Sequence, residues 1–259
     1  SDVCSSDLVD EDAESYEGST DFTANDLNGS KDAYSATFIT LSGDTATVSG
    51  SGAYTYDGSV YISNAGYYVL SGKLNDGQIV VDAYQSSKIW ILLDDVDIYC
   101  SDDAAIRINQ ADKVFLTLGE DSVNTLESGE EYSDDALSDG AGGTIFSHDD
   151  LTINGSGSLS ITAGYKHGID ANDSLHITGG DISISCPQDG IHVNDEFNFK
   201  DAGLTIAAGD DAVHSDTSIY VESGAILVTG CYEGLEAVTI TMAGGNVTIY
   251  GFGFDHRWF

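Results

Sequence analysis

Acidic and histidine side chains recur at a regular spacing in the C-terminal half of the chain, and such side chains bind cations. Taken about every 22 residues, one column of equivalent positions reads His167, Asp189, Asp211 and Glu233. Carboxylates brought close together repel one another unless a proton or a cation relieves the repulsion. Ca²⁺ takes six to eight oxygen ligands, including carboxylates and backbone carbonyls. We predict Ca²⁺ as the cofactor, with the metal ligands Asp189, Asp210, Asp211, Glu233 and Asp170.

A second column, just beyond an inward apolar position, reads Asp170, His192, His214 and Glu236. Two imidazoles flanked by carboxylates can hold a transition metal. Nothing in the sequence fixes the ligand geometry, so an exposed polar stack on a strand face is the favoured interpretation of this column. For the acidic column the alternative is a solvated turn, because Asp also favours tight loops for local backbone reasons.

Aromatic and basic side chains beside these columns are candidates for contacts with a sugar polymer. A tyrosine ring offers a flat apolar face together with a polar hydroxyl. Lys166 is the only basic residue next to the acidic columns. A lysine among carboxylates stays protonated, which opposes a role as a general base, and we assign no catalytic residue. The predicted substrate-binding residues are Lys166, Tyr165, Tyr232, His192 and His214.

The charge balance excludes several classes of partner. The 259 residues include 8 Lys and Arg against 44 Asp and Glu, which gives a formal net charge of −36. Nucleic acid and anionic membrane surfaces both require basic residues on the protein side. No apolar run approaches the length of a membrane span. With 41% hydrophobic residues the chain can still build a core, and we expect a monomer.

The pattern divides the chain into an arm and a repetitive domain. Residues 1–36 are acidic and polar, and we predict a flexible arm or linker without the apolar stretch of a secretory leader. Residues 37–259 carry short runs of alternating apolar residues separated by Gly, Asp, Asn and Ser, which predicts short strands. Residues 127–143 interrupt the pattern, and their acidic, Gly-rich composition predicts a surface loop.

Self-similarity decides the architecture. The triplet 168–170 recurs at 190–192, 212–214 and 234–236, and the flanking apolar runs follow the same step. Three short strands in about 22 residues are too few for a propeller blade and suit one coil of a parallel β-helix. Successive coils then lie about 4.8 Å apart. The predicted inward ladder is Ile169, Ile191, Val213 and Leu235.

Three of the four cysteines, Cys100, Cys186 and Cys231, each follow the third strand of a coil and are not expected to form disulfides. Cys186 and Cys231 are separated by about two coils, hence by about 9–10 Å. That separation exceeds the reach of a disulfide, so we expect reduced, buried thiols.

Several longer motifs resemble a bacterial family of carbohydrate-binding domains. The matching segments are 68–72, 78–83, 144–155, 189–192 and 209–214, and the resemblance extends over about residues 37–250. Members of that family occur in anaerobic degraders of plant polysaccharides. They are right-handed parallel β-helices similar to pectate lyases, and they bind calcium and cellulose-like or polygalacturonate-like polymers. The resemblance implies Ca²⁺ at Asp189, Asp210 and Asp211. Glu233 departs from the family's Asp-Asp-Gly-Ile form, and the last coil is expected to be incomplete.

The sequence therefore predicts calcium-dependent, non-catalytic binding of a plant cell-wall polysaccharide, either pectin-like or cellulose-like. An acidic polymer requires calcium as a bridge because protein and ligand are both anionic. Two alternatives stay open, namely a calcium-dependent pectate lyase and a structural or adhesive rod. We expect an extracellular or surface-attached protein, because very acidic β-rich proteins are commonly exported.

Overall fold

The computed structural model describes residues 22–28 and 35–251, which form an all-β, right-handed parallel β-helix. About eight turns of about 23 residues stack along one axis, which confirms the fold predicted from the repeat. Alternation of apolar residues turns every second side chain inward, as in the strand 225–230, where exposed and buried residues alternate along its length. The rest of the predicted arm and last coil, at 1–21, 29–34 and 252–259, lies outside the described residues.

The first six strands comprise two hairpins and the first two strands of the regular turns. They are β1 (Thr37–Gly43), β2 (Thr45–Ser49), β3 (Ala53–Tyr56), β4 (Ser59–Ile62), β5 (Gly66–Leu74) and β6 (Ile79–Asp82). β1 pairs with β2 and β3 with β4 in antiparallel fashion. β1 also pairs with β5, and β4 with β6, in parallel fashion, so the hairpins continue into the solenoid.

The later elements are the strands of the regular turns and one short helix. They are β7 (Lys88–Cys100), β8 (Ile106–Gln110), β9 (Lys113–Leu118), β10 (Val123–Ser128), α1 (Asp134–Ser138), β11 (Gly143–Ser147), β12 (Asp150–Gly155), β13 (Ser158–Ala163), β14 (His167–Ala171), β15 (Leu175–Ile177), β16 (Asp181–Cys186), β17 (Ile191–Val193), β18 (Glu196–Phe199), β19 (Gly203–Ala208), β20 (Val213–Ser215), β21 (Ser218–Val221), β22 (Ala225–Gly230), β23 (Leu235–Glu236), β24 (Thr239–Met242) and β25 (Asn246–Ile249).

The strands of the turns line up as three parallel faces. The first face runs through β6, β8, β11, β14, β17, β20 and β23. The second face contains β9, β12, β15, β18, β21 and β24, and the third contains β10, β13, β16, β19, β22 and β25. The long strand β7 pairs with both β9 and β10 and so joins the second and third faces.

The inward ladder of the first face matches the prediction. Ile169, Ile191, Val213 and Leu235 are register partners in successive turns. The first three are fully buried, and Leu235 is half-buried and packs against the same core. A single core therefore runs through the turns that carry the acidic and histidine columns.

Glycine precedes three of the four inward residues, with Ala212 at the remaining position, and close packing between turns explains these glycines. A Cβ at Gly190 would lie 2.5 Å from a methyl carbon of Ile206 and 2.6 Å from the carbonyl oxygen of Ala212. A Cβ at Gly168 would meet Ile184 and Gly190 in the same way, at 2.3 and 2.7 Å. The repeat thus keeps glycine where the backbone of the next turn approaches.

We expect Gly190→Ala to lower the free energy of unfolding by about 1–3 kcal/mol, because the added methyl group overpacks this contact. Urea denaturation measures the change. The matched control is Ala212→Gly, at the equivalent position one turn later, where the structure already accommodates a Cβ. An unchanged stability in Gly190→Ala would show that the neighbouring turn moves away at little cost.

Residues 22–28, named the docked segment, pack against the second face, in contrast to the loose arm expected for residues 1–36. Asp26 is fully buried. Its carboxylate accepts a hydrogen bond from the Thr152 hydroxyl at 2.5 Å and lies 2.9 Å from Nζ of Lys113. At least this part of the arm is therefore held by specific contacts.

The insertion at 127–143 is also more ordered than a solvated loop. It contains α1 together with Tyr132 and Ala136, which are buried in a small cluster with Phe146. The Tyr132 hydroxyl donates a hydrogen bond to a backbone carbonyl, that of Gly143, at 3.0 Å.

Three cysteines in the described residues, Cys100, Cys186 and Cys231, are free thiols; Cys100 and Cys231 are buried as predicted, whereas Cys186 is only partly buried. Burial raises the pKa of Cys100 and Cys186 to about 12, so both stay protonated. Within residues 22–28 and 35–251, no helix is long and apolar enough to cross a membrane.

Candidate functional site

The acidic column forms one edge of the solenoid, where the chain enters the first face. Its backbone is stacked by hydrogen bonds between turns. Gly168 N–H donates to the Asp189 carbonyl at 3.1 Å, and Gly190 N–H donates to the Asp211 carbonyl at 2.9 Å. The next turn repeats the contact at 2.9 Å with the Glu233 carbonyl as acceptor. We call this edge, with the adjoining outward side chains of the first face, the acidic corner.

Asp189 is the centre of the acidic corner. Its Oδ2 lies 3.1 Å from Nδ1 of His167 and 3.0 Å from Nδ1 of His192. Its Oδ1 accepts a hydrogen bond from the backbone N–H of Asp211 at 3.1 Å. Burial alone raises the pKa of Asp189, but the hydrogen bonds from the two histidines outweigh it and hold this pKa well below its usual range. Asp189 is thus a carboxylate with one oxygen fixed by backbone and the other shared by two imidazoles.

A carboxylate group of three residues lies beside this contact. Ligand oxygens of Asp189, Asp210 and Asp211 all lie within 4.8 Å of one another. Burial, the nearby Glu236 and the charges of Asp189 and Asp210 raise the pKa of Asp211 to about 6. Burial is the largest cause of this shift, and the neighbouring carboxylates add to it; a bound cation relieves the repulsion among them.

A third group continues the corner by one turn. Nδ1 of His214 lies 3.0 Å from Glu236 and 3.5 Å from Asp211, and its Nε2 lies 3.2 Å from Asp216. The His192 and His214 rings stack at 4.9 Å with an interplanar angle of 6°. Burial opposes protonation of His214, but its three carboxylate partners raise its pKa.

Comparison with known proteins identifies the family. A sequence profile described as carbohydrate-binding domain-containing protein matches residues 56–256. The chain belongs to this family. A relative of the same description from Acetivibrio thermocellus is 37% identical over 126 residues, which are 48% of this chain and 44% of the relative. The aligned part of the chain thus spans less than half the length of that carbohydrate-binding relative.

A solved structure supports the fold of this carbohydrate-binding domain. The polysaccharide lyase-like protein from C. thermocellum, determined as a gadolinium derivative, superposes with a TM-score of 0.67 at 24% identity. The superposition covers 82% of this chain and 97% of the other chain. At this level of identity the likeness establishes a shared solenoid.

The structure places the other predicted metal ligands apart from the carboxylate group. Asp170 is buried on the first face, where burial, against the attraction of His167 and His192, raises its pKa. Glu233 is exposed, and among the described residues its side chain is outside the three convergent groups.

The predicted substrate-binding residues occupy different parts of the carbohydrate-binding domain. Tyr165 packs against Tyr132 of the insertion, with ring centroids 4.7 Å apart. Nζ of Lys166 lies 5.4 Å from the Tyr165 ring centroid. Tyr232 is 56% exposed. His192 and His214 belong to the acidic corner itself.

Sequence reasoning placed His167 and Glu236 in the columns but did not select them as ligands. The usable signal for these two residues was the 22-residue step from His167 to Asp189 and from His214 to Glu236, which places each pair in adjacent turns. A second signal was the three-residue spacing from Asp189 to His192 and from Asp211 to His214. The chain turns between the two residues of each pair, so the imidazole lies beside the carboxylate three residues before it.

Proposed function

We propose that this carbohydrate-binding domain binds an acidic plant cell-wall polysaccharide through Ca²⁺ held at the acidic corner, and that it does not cleave the polymer. The supporting observation is the convergence of the Asp189, Asp210 and Asp211 carboxylates, with the pKa of Asp211 raised to about 6. The protein carries a formal charge of −36, so a polyanion needs a bridging cation. We also propose a monomer outside the cell or attached to its surface.

Calcium suits this carboxylate group because its donors are oxygens. Ca²⁺ accepts irregular sets of six to eight oxygens, and three carboxylates supply only part of such a set. The remaining positions are then available for backbone carbonyls, water and carboxylates of a polyuronate. The acidic corner therefore holds the ion and leaves part of its coordination sphere open to the polysaccharide.

Binding tests should distinguish the contribution of the Ca²⁺ ion from that of direct contacts with the polymer. We expect retention on immobilised polygalacturonate with Ca²⁺, loss with a chelator, and at least about a tenfold loss of affinity in Asp210→Asn/Asp211→Asn, because the ion loses two charged ligands. Glu127→Gln, an exposed carboxylate on β10, removes a charge elsewhere and is the control. Chelator-resistant binding would contradict the calcium bridge. Failure to bind any polysaccharide, with Ca²⁺ still raising the melting temperature, would favour a structural rod.

The absence of cleavage is tested in the same mixtures. A lyase requires a base, and Lys166, the basic residue beside the acidic corner, lies with its Nζ 5.4 Å from the Tyr165 ring centroid. We expect no rise in ultraviolet absorbance from unsaturated product. A rise that Lys166→Ala abolishes would instead establish a pectate lyase.

A neutral glucan is the second candidate ligand, because the hairpin of β3 and β4 exposes a tyrosine platform. Tyr54 and Tyr61 stack at 5.2 Å with an interplanar angle of 10°, and Tyr56 packs edge-on to Tyr61. Tyr54 and Tyr56 are 53% and 68% exposed. Beside them lies a polar cavity of about 320 Å³, which Tyr56 and Gln78 help to line.

We expect Tyr54→Ala/Tyr56→Ala to weaken binding to soluble glucan by at least about fivefold, since each of the two rings contributes about 0.5–1.5 kcal/mol by stacking. Affinity electrophoresis in glucan gels measures the loss. Tyr84→Ala, a tyrosine that is 79% exposed at another position, is the matched control. Equal mobility of the double variant and the wild type in glucan gels would show that the tyrosine platform does not bind glucan.

A further inference from the structure

We propose that His167, Asp189 and His192 form a binding site for a transition-metal dication of the Zn²⁺ class. The inference goes beyond the proposed calcium function and does not rest on it, because two of its three donors are imidazole nitrogens. The set also differs from the column considered in the sequence, since His167 and Asp189 replace His214, Asp170 and Glu236.

The donor atoms are already arranged as the corner of a coordination sphere. Oδ2 of Asp189 lies 3.1 and 3.0 Å from Nδ1 of His167 and His192, and all three donors lie within 4.8 Å of one another. With metal–ligand bonds of about 2.0–2.1 Å, a tetrahedral ion separates its ligands by about 3.3 Å. Both contacts of Asp189 are within about 0.3 Å of this separation, and the donors of the two histidines lie within 4.8 Å of each other.

The backbone and burial hold the three side chains in place. His167 begins β14, and Asp189 and His192 lie in and just after the turn that enters β17 one coil later. Oδ1 of Asp189 is fixed by the Asp211 N–H, which directs Oδ2 at the imidazoles. The three side chains are only 12%, 10% and 28% exposed, in chain order. The buried Asp170 is the register partner of His192 in the preceding turn and helps to enclose the site.

The chemical type of the ligand atoms determines which metal ions this site prefers. Imidazole nitrogen with a carboxylate suits Zn²⁺, Ni²⁺ and Cu²⁺, whereas Ca²⁺ and Mg²⁺ require oxygen. Three protein ligands leave a fourth position for water or for an oxygen of a bound ligand, as in open zinc sites. The neighbouring set of Asp211, His214 and Glu236 has one imidazole only, so we expect weaker zinc binding there.

Titration of the full chain with ZnCl2 in metal-free buffer tests the proposal. We expect one tight site by calorimetry, and His167→Ala and His192→Gln should each weaken it by at least about 100-fold, since losing a group that only hydrogen-bonds to a metal ligand already costs about 10–100-fold. His192→Gln keeps an amide that can hydrogen-bond Asp189, so folding is preserved. His148→Ala, on the same face two turns earlier than His192, is the control and should bind Zn²⁺ as the wild type does.

Substitution with Co²⁺ gives a second readout, because intense visible absorption reports a tetrahedral site that contains nitrogen ligands. Asp210→Asn should weaken calcium-dependent polysaccharide binding and leave Zn²⁺ affinity unchanged, so the two proposals can fail separately. Unchanged Zn²⁺ affinity in both histidine variants, or no stoichiometric binding by the folded full chain, would overturn the site. In that case the three residues are a hydrogen-bonded cluster that stabilises the turn.

Discussion

Phe197→Ala is expected to lower the free energy of unfolding by about 3–5 kcal/mol, the range for truncation of a buried phenylalanine. Phe197 is fully buried, between Leu175 of the preceding turn and Ile219 of the following one. Its ring also lies 6.2 Å from that of Phe199. Each turn of a solenoid contacts only its neighbours, so a cavity here weakens two interfaces at once. Urea denaturation followed by circular dichroism measures the change.

Two further variants serve as controls for the stability change of Phe197→Ala. Phe197→Leu keeps most of the volume and should cost less than Phe197→Ala. Val238→Ala, at a side chain that is 84% exposed, should change stability by no more than about 0.5 kcal/mol. A cost of under about 1 kcal/mol for Phe197→Ala would mean that the turns collapse into the cavity. Because Asp189 and His192 belong to the same turn, such movement would also displace the acidic corner.

The sequence was sufficient to predict the turns because stacking imposes one spacing on every column. Ile191 is inward because it lies between Ile169 and Val213, and that arrangement follows from the repeat alone. The same reasoning fails where the repeat is absent. Tyr132 is buried although its acidic surroundings predict exposure, since its packing with Phe146 and Tyr165 outweighs local composition.

For the acidic corner, the repeat predicted which residues are neighbours but not where their side chains point. The Glu233 carbonyl accepts the hydrogen bond from the Ala212 N–H, but its side chain, predicted as a metal ligand, is exposed, and Glu236 approaches His214 instead. His167 shares Asp189 with His192 because the imidazoles come from adjacent turns. Side-chain direction depends on local backbone angles, which a spacing rule does not contain.

Asp26→Ala is expected to lower the free energy of unfolding by about 3–5 kcal/mol, the range for breaking a buried ion pair. The side chain of Asp26 is 0% exposed and that of Lys113 is 10% exposed, and the variant leaves the ammonium without its carboxylate. Asp97→Ala is the matched control. It removes a partner of Lys73 from a pair whose side chains are 45% and 58% exposed, and should cost at most about 1 kcal/mol.

The pH dependence gives an independent test of the same contact. Burial raises the pKa of Asp26, but hydrogen bonds from Thr152 and Thr23 and the contact with Lys113 outweigh it and lower this pKa from 3.8 to about 2. A depressed carboxyl pKa stabilises the folded state above the unfolded value, and this contribution is lost as the pH falls through the folded value. The stability difference between wild type and Asp26→Ala should therefore be constant above about pH 5 and shrink between about pH 4 and pH 2.

A double variant separates two explanations of that cost. If Asp26→Ala is destabilising because Lys113 is left as an uncompensated buried charge, then Asp26→Ala/Lys113→Met should recover much of the loss, since an apolar pair replaces an ionic one at little cost. If the loss comes instead from release of the docked segment, the double variant should be no more stable than Asp26→Ala. Protease cleavage within residues 22–28 distinguishes the two, because only a released segment becomes a substrate. Recovery without cleavage would show that the segment stays docked without the ion pair, held by the hydrogen bonds from Asn154 and Thr178 to the backbone carbonyl of residue 26.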